Sequence, residues 1–155
     1  ALLNIAIEYS NKQQWATAID KYSAAIAQDP NSISAYLGRG NCYYSLYNNQ
    51  KAVEDFSKVI TMEPDSVTGY FNRALAYYKW NKFKESHEDF NKAIAIQPQN
   101  EIFYYARSDV FLKLYDKTNA INDIEKYINL ISGQPNREKD IESAKDKILY
   151  IKNKE

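Results

Sequence analysis

Residues 36–64, YLGRGNCYYSLYNNQKAVEDFSKVITMEP, are answered by residues 70–98, YFNRALAYYKWNKFKESHEDFNKAIAIQP. Tyr36, Gly40, Tyr43, Ala52, Phe56 and Pro64 recur in kind as Tyr70, Ala74, Tyr77, Ser86, Phe90 and Pro98, each 34 residues on (70 − 36 = 34), and Pro30 lies the same distance before Pro64. A fixed period of that length is one supersecondary unit stacked on copies of itself, because no single unit can bury its apolar face alone.

Outward from that stretch the same grammar of helix, turn, helix and stop extends both ways. Residues 33–66 and 67–100 form two units, each closing on Pro64 or Pro98 followed by polar capping residues. Upstream, residues 1–32 form another: Leu2, Ile5, Ala6 and Tyr9 mark one amphipathic helix, and Trp15, Ala18, Ile19, Tyr22, Ala25 and Ile26 mark the next after a polar break at Asn11 to Gln14. Downstream, residues 101–134 form a drifting copy. There Phe111 replaces a Tyr, Ile124 a Phe, Tyr127 a small residue, and Ser132 stands at the proline position. Beyond Gly133, Gln134 and Pro135, a polar start at Asn136 leads into a last helix whose stripe is Ile141, Ala144, Ile148 and Ile151. Residues 135–155 therefore read as a lid, which a solenoid end needs. The chain opens at Ala1 inside a helix, without Met, so an excerpt or processed form is expected, with Leu2, Leu3 and Ile5 exposed on an unfinished first unit.

These residues resemble the tetratricopeptide repeat (TPR) family, whose unit is a 34-residue antiparallel helix pair. The first-helix signature reads as Tyr36, Arg39, Gly40, Tyr43 and again as Tyr70, Arg73, Ala74, Tyr77. The second-helix signature reads as Ala18, Tyr22, Ala25, Pro30, then Ala52, Phe56, Val59, Pro64, then Ser86, Phe90, Ala93, Pro98. The resemblance covers nearly all of the chain before Pro135 and implies an all-α fold, a right-handed superhelical solenoid of about four units with a C-terminal capping helix. Physically, small residues at Gly40, Ala74 and Ser108, facing Ala52, Ser86 and Ala120, let helix backbones approach, while Tyr43, Phe56, Tyr77 and Phe90 fill the wedges.

Composition narrows the function. Twenty Asp and Glu balance twenty Lys and Arg, so the chain lacks the cationic surplus of a general nucleic-acid binder. No apolar run is long enough to span a bilayer, the opening residues show no signal-peptide pattern, and direct membrane insertion is not expected. Cys42 is the only cysteine, which excludes an intramolecular disulfide and a multi-Cys metal cage and is compatible with a reducing, cytoplasmic setting.

Catalytic and metal chemistry find little footing. His87-Glu88 invites comparison with a zinc-protease HExxH pattern, but Asn91 stands where the second His belongs and the chain has no other His. His87 falls at the register of Ile19, Val53 and Ile121, and Cys42 at that of Ala76 and Val110, which are packing positions. No phosphate-cradling Gly-rich loop appears, so no cofactor, no metal and no enzymatic activity are expected, and an enzyme would have to work through His87 or Cys42. Arg39, Arg73 and Arg107 share one register and Asp55, Asp89 and Asp123 another, which predicts a ladder of ion pairs within or between units.

In the resembled family, first helices line a concave, peptide-holding surface. Carrying those positions over gives Leu3 and Ile7, then Leu37, Asn41 and Tyr44, then Phe71, Asn72, Leu75 and Tyr78, and finally Ile102, Tyr105, Asp109 and Leu112. Amides in such a row bond a bound backbone and aromatics pocket its side chains. Chaperone adaptors of the family grip a C-terminal carboxylate with two Asn and three cations; Asn41 and Asn72 match, but Leu37, Ile102 and Ala106 occupy the basic positions. The implied function is a non-enzymatic interaction module for an apolar or amphipathic peptide of a protein partner. The alternative is a structural scaffold whose groove is filled by its own chain or, through the first unit, by another copy in a homo-oligomer.

Overall fold

The computed structural model describes residues 1–154, which form nine α-helices and no strand. They are α1 (Leu2–Asn11), α2 (Trp15–Gln28), α3 (Ile33–Ser45), α4 (Asn49–Met62), α5 (Val67–Lys79), α6 (Phe83–Ile96), α7 (Glu101–Lys113), α8 (Lys117–Ile131) and α9 (Glu138–Asn153). The chain makes two compact units, residues 1–89 and 90–155.

Two kinds of turn alternate. Between α1 and α2, α3 and α4, α5 and α6, and α7 and α8, one residue adopts the left-handed conformation: Gln13 (φ 57°), Tyr47 (φ 59°), Asn81 (φ 59°) and Tyr115 (φ 61°). Each is flanked by the same bond pair; Asn48 N–H donates to Tyr43 O at 2.9 Å and Tyr47 N–H to Tyr44 O at 3.1 Å, and Gln14, Lys82 and Asp116 repeat the longer-range bond at 2.9 Å. This is the Schellman closure, which normally selects Gly. The other turns carry the prolines, and two of them enter the next helix through side-chain caps: Ser66 Oγ accepts from Gly69 N–H at 3.3 Å and Asn100 Oδ1 from Ile102 N–H at 3.2 Å.

In residues 1–89, consecutive helices α1 to α5 pack pairwise, with α1 on α3 and α3 on α5 as parallel neighbours. The close approach expected at the small residues is present. Ser86 Oγ donates to Ala74 O at 2.8 Å, and a Cβ built on Gly40 would lie 2.6 Å from Phe56 Cε1. Gly38, which the periodicity did not single out, is tighter still, with its would-be Cβ 2.2 Å from Tyr22 Cζ. One cluster gathers Ala6, Ala18, Tyr22, Ala25, Ala35 and Cys42, and a second Ala52, Val53, Phe56 and Ala76. Leu2 and Leu3 are not left open as expected, because both lie against the first cluster; Ile5 and Ile7 are the exposed apolar residues of α1.

In residues 90–155, α8 packs on both α7 and α9. Ile124, Ala144 and Ile151 form one core cluster, with Tyr105, Leu112, Ile121, Tyr127, Ile128 and Ile148 around it, so the predicted stripe of the last helix lies on its buried side. That helix starts at Glu138 rather than Asn136, since Asn136 takes φ 62° and cannot begin a right-handed turn.

Candidate peptide-binding face

The Arg and Asp registers resolve into one device built three times. Arg39 Nε and Nη2 clasp Asp55 at 2.8 and 2.7 Å while Nη1 reaches Ser23 Oγ at 3.1 Å. Arg73 clasps Asp89 at 2.7 and 2.8 Å and reaches Ser57 at 3.0 Å; Arg107 clasps Asp123 at 2.8 and 2.7 Å and reaches Asn91 at 2.6 Å. The ion pair therefore closes within a helix pair and the third bond ties to the preceding one. Each guanidinium also lies over two rings, as Arg73 does over Tyr70 and Tyr77 at 5.8 Å. Burial pushes the Asp89 carboxyl up and Arg73 pulls it down, burial being the larger, while the bond to that carboxylate raises Arg73. These side chains are committed to structure, which matches the ladder the spacing predicts.

The chemistry-bearing residues outside this device are also absorbed. Cys42 is fully buried, its Sγ 3.6 Å from Ser10 Oγ, and burial pushes its thiol up, away from the thiolate a nucleophile needs. His87 is half-buried on α6. Among the described residues no group of three or more His, Cys, Asp or Glu could hold a metal, and no helix is long and apolar enough to cross a membrane.

Four of the predicted groove residues of α3 and α5, Asn41, Tyr44, Asn72 and Leu75, come together in the first compact unit. Asn72 Nδ2 donates to Asn41 Oδ1 at 3.2 Å, which leaves the Asn41 amide N–H groups and the Asn72 carbonyl oxygen as a matched donor and acceptor set. Asn41, Tyr44, Asn72 and Leu75 line a depression of about 50 Å³ floored by Phe56. Leu37 and Tyr44 rest on the second core cluster, and the rings of Tyr78 and Phe83 meet edge to face at 5.6 Å. Leu37, Tyr44, Phe71, Asn72, Leu75 and Tyr78 are half-buried and Asn41 is exposed, so this is a shallow face with rooted anchors rather than a deep cleft.

One component escaped the sequence reading. Lys79 Nζ sits 3.8 Å from the centre of the Tyr44 ring and 4.5 Å from that of Tyr47, placing a cation at the end of the face. Its signal was the register of Lys79, Lys113 and Lys147, 34 residues apart (113 − 79 = 34).

The residues predicted on α7 behave differently. Lys147 of α9 pairs with Asp109 Oδ1 at 2.9 Å, reaches Ser108 Oγ at 3.2 Å and lies 4.1 Å over the Tyr105 ring. Tyr127, the bulky replacement in the drifting copy, packs against Tyr105 with ring centres 4.7 Å apart and planes tilted by 46°. Tyr105, Leu112 and Asp109 are thus engaged by the second unit itself, and Ile102 remains exposed.

Solved structures share this architecture. MamA 41-end from Desulfovibrio magneticus RS-1 is 18% identical, covering 86% of this chain and 76% of that one, with a TM-score of 0.83. Another MamA crystal structure is 21% identical over 95% of this chain and 87% of that one, with a TM-score of 0.79. The TPR domain of Arabidopsis OM64 is 24% identical over 70% of this chain and 90% of that one, with a TM-score of 0.67. At such identities the likeness concerns the fold. No curated protein matches the sequence. Family profiles described as tetratricopeptide repeat match residues 33–66 and 67–100, and one described as TPR repeat matches residues 8–46. Together with the repeated helix pairs, these matches establish that the chain belongs to the tetratricopeptide repeat family.

Proposed function

We propose that this protein is a non-enzymatic interaction scaffold that holds an apolar or amphipathic peptide segment of a protein partner on the face formed by α3 and α5. The observation that carries the reading is the Asn41–Asn72 amide pair beside Tyr44 and Leu75, with Leu37, Phe71 and Tyr78 half-buried on the same two helices. Its free donor and acceptor suit one peptide unit of a bound backbone, and the anchors suit side chains on either side. Lys79 favours an acidic residue or carboxylate at one end of the ligand. With Leu37 at the basic position of the chaperone-adaptor pattern, a dedicated carboxylate clamp is not part of this reading. On α7, Tyr105, Asp109 and Leu112 serve to seat α9, and Ile102 is exposed.

Selection of binders from a random peptide library tests the reading. Selected peptides should share apolar anchors and lose at least tenfold in affinity against an Asn41→Ala/Asn72→Ala variant of unchanged helicity. Equal binding to both proteins would contradict it.

A further inference from the structure

The zero net charge hides a polarised first unit. At the end where α1 meets α2, α3 meets α4 and α5 meets α6, residues 11–17, 45–51 and 79–85 contain Lys12, Lys51, Lys79, Lys82 and Lys84 against one acid, Glu85. At the opposite end, residues 28–33 and 62–67 contain Asp29, Glu63 and Asp65 and no base. Helix dipoles do not account for this, because every such turn joins one helix C-terminus to one N-terminus. Lys12 is paired with Glu8 at 2.6 Å, whereas no carboxylate among the described residues pairs with Lys51, Lys79, Lys82 or Lys84.

The same end carries the unit's outward aromatic surface. Leu46 is 48% and Tyr47 74% exposed, and with Trp80, Asn48, Asn49 and Gln50 they line a hollow of about 370 Å³. Trp80 is rooted on the second core cluster, with Lys82 Nζ 4.0 Å over its ring. Tyr47 holds a left-handed backbone conformation that Asn81 occupies at the equivalent turn, so a large apolar ring stands at a position whose backbone favours a small polar residue. The second unit repeats the chemistry independently. Tyr115, also left-handed, is 94% exposed and borders a hollow of about 270 Å³ with Leu112, Tyr150, Ile151, Lys117 and Lys154.

We propose that this helix-turn end, with Leu46 and Tyr47 exposed, Trp80 beside Lys82, and Lys51 and Lys84 in the first turns of α4 and α6, docks onto an anionic lipid surface. Tyr and Trp settle at the headgroup level, an aliphatic tip enters the acyl boundary, and unpaired lysines meet acidic headgroups. The exposed Leu46 beside Tyr47 favours a bilayer over single-stranded nucleic acid, which would use the rings and cations but not the leucine. This surface adjoins the Asn41–Asn72 face through Lys79, which lies over both Tyr44 and Tyr47, but the substitutions that test it leave Asn41, Asn72, Phe71 and Tyr78 in place, so either can fail alone.

Vesicle co-sedimentation of the 155-residue chain tests it, with phosphatidylcholine alone and with added phosphatidylserine. The protein should bind the phosphatidylserine vesicles and not the neutral ones, with binding falling as salt rises. Lys51→Gln/Lys82→Gln should weaken binding about 25-fold, about fivefold for each lysine. Leu46→Ser/Tyr47→Asn, which suits the turn backbone and keeps the fold, should abolish it. Equal binding to both vesicles, no binding, retention by the Leu46 and Tyr47 variant, or full competition by single-stranded oligo-dT would each overturn the proposal.

Discussion

Gly38 and Gly40 show how little room this architecture leaves a single atom. Each would drive a Cβ into a ring that is itself packed, Tyr22 at 3% and Phe56 at 1% exposure. Gly40→Ala should therefore lower unfolding free energy in urea by about 1 to 3 kcal/mol, despite the better helix propensity of Ala. The left-handed tyrosines predict the opposite sign. Tyr47→Asn and Tyr115→Asn should each raise stability by about 0.5 to 1 kcal/mol, read as a higher urea midpoint at unchanged slope, because Asn tolerates that backbone at lower cost. Buried titratable groups add a pH dependence. Burial raises Tyr22, Cys42 and Tyr77 above their ordinary values of 10.0, 9.0 and 10.0. A raised folded value means the contribution is intact below the unfolded pKa and is lost as pH rises through the folded one. Urea melts should thus hold steady from neutrality to about pH 8.5 and weaken as the solution becomes more alkaline.

At the scale of helix pairs, the clasped Arg and Asp are the repeated joint. Arg73→Met leaves Asp89, nearly fully buried, without its partner and should cost about 3 to 5 kcal/mol. The double change Arg73→Met/Asp89→Leu should recover most of that loss, since it removes the stranded charge; a double variant as unstable as the single would contradict the account. Here the sequence reached its limit in an instructive way. The 34-residue spacing of Arg39, Arg73 and Arg107 and of Asp55, Asp89 and Asp123 was legible. The third bond, to Ser23, Ser57 and Asn91, was not, because a serine and an asparagine share no pattern beyond their register. The Schellman turns stayed hidden for a similar reason: Gln13, Tyr47, Asn81 and Tyr115 occupy a conformation for which sequence reading looks for glycine.

Across the molecule, period and proline placement made the helix order readable, since burying one face of each pair demands the same small and aromatic residues every time. The candidate face was legible only as a row of positions. Its Asn41–Asn72 pairing and the Lys79 cation depend on side-chain direction, which spacing does not carry. On α7 the row did not show that α9 supplies Lys147 to Asp109 and Tyr105, because an amphipathic stripe tells which side of a helix is buried but not which residues it covers. The central claim is that the α3 and α5 face is the working surface. The most direct test is a titration of a library-selected peptide into the protein and into Phe71→Ser/Tyr78→Ser, with circular dichroism confirming equal helicity. The account predicts one-to-one binding that the double substitution abolishes; undiminished binding to the substituted protein would contradict it.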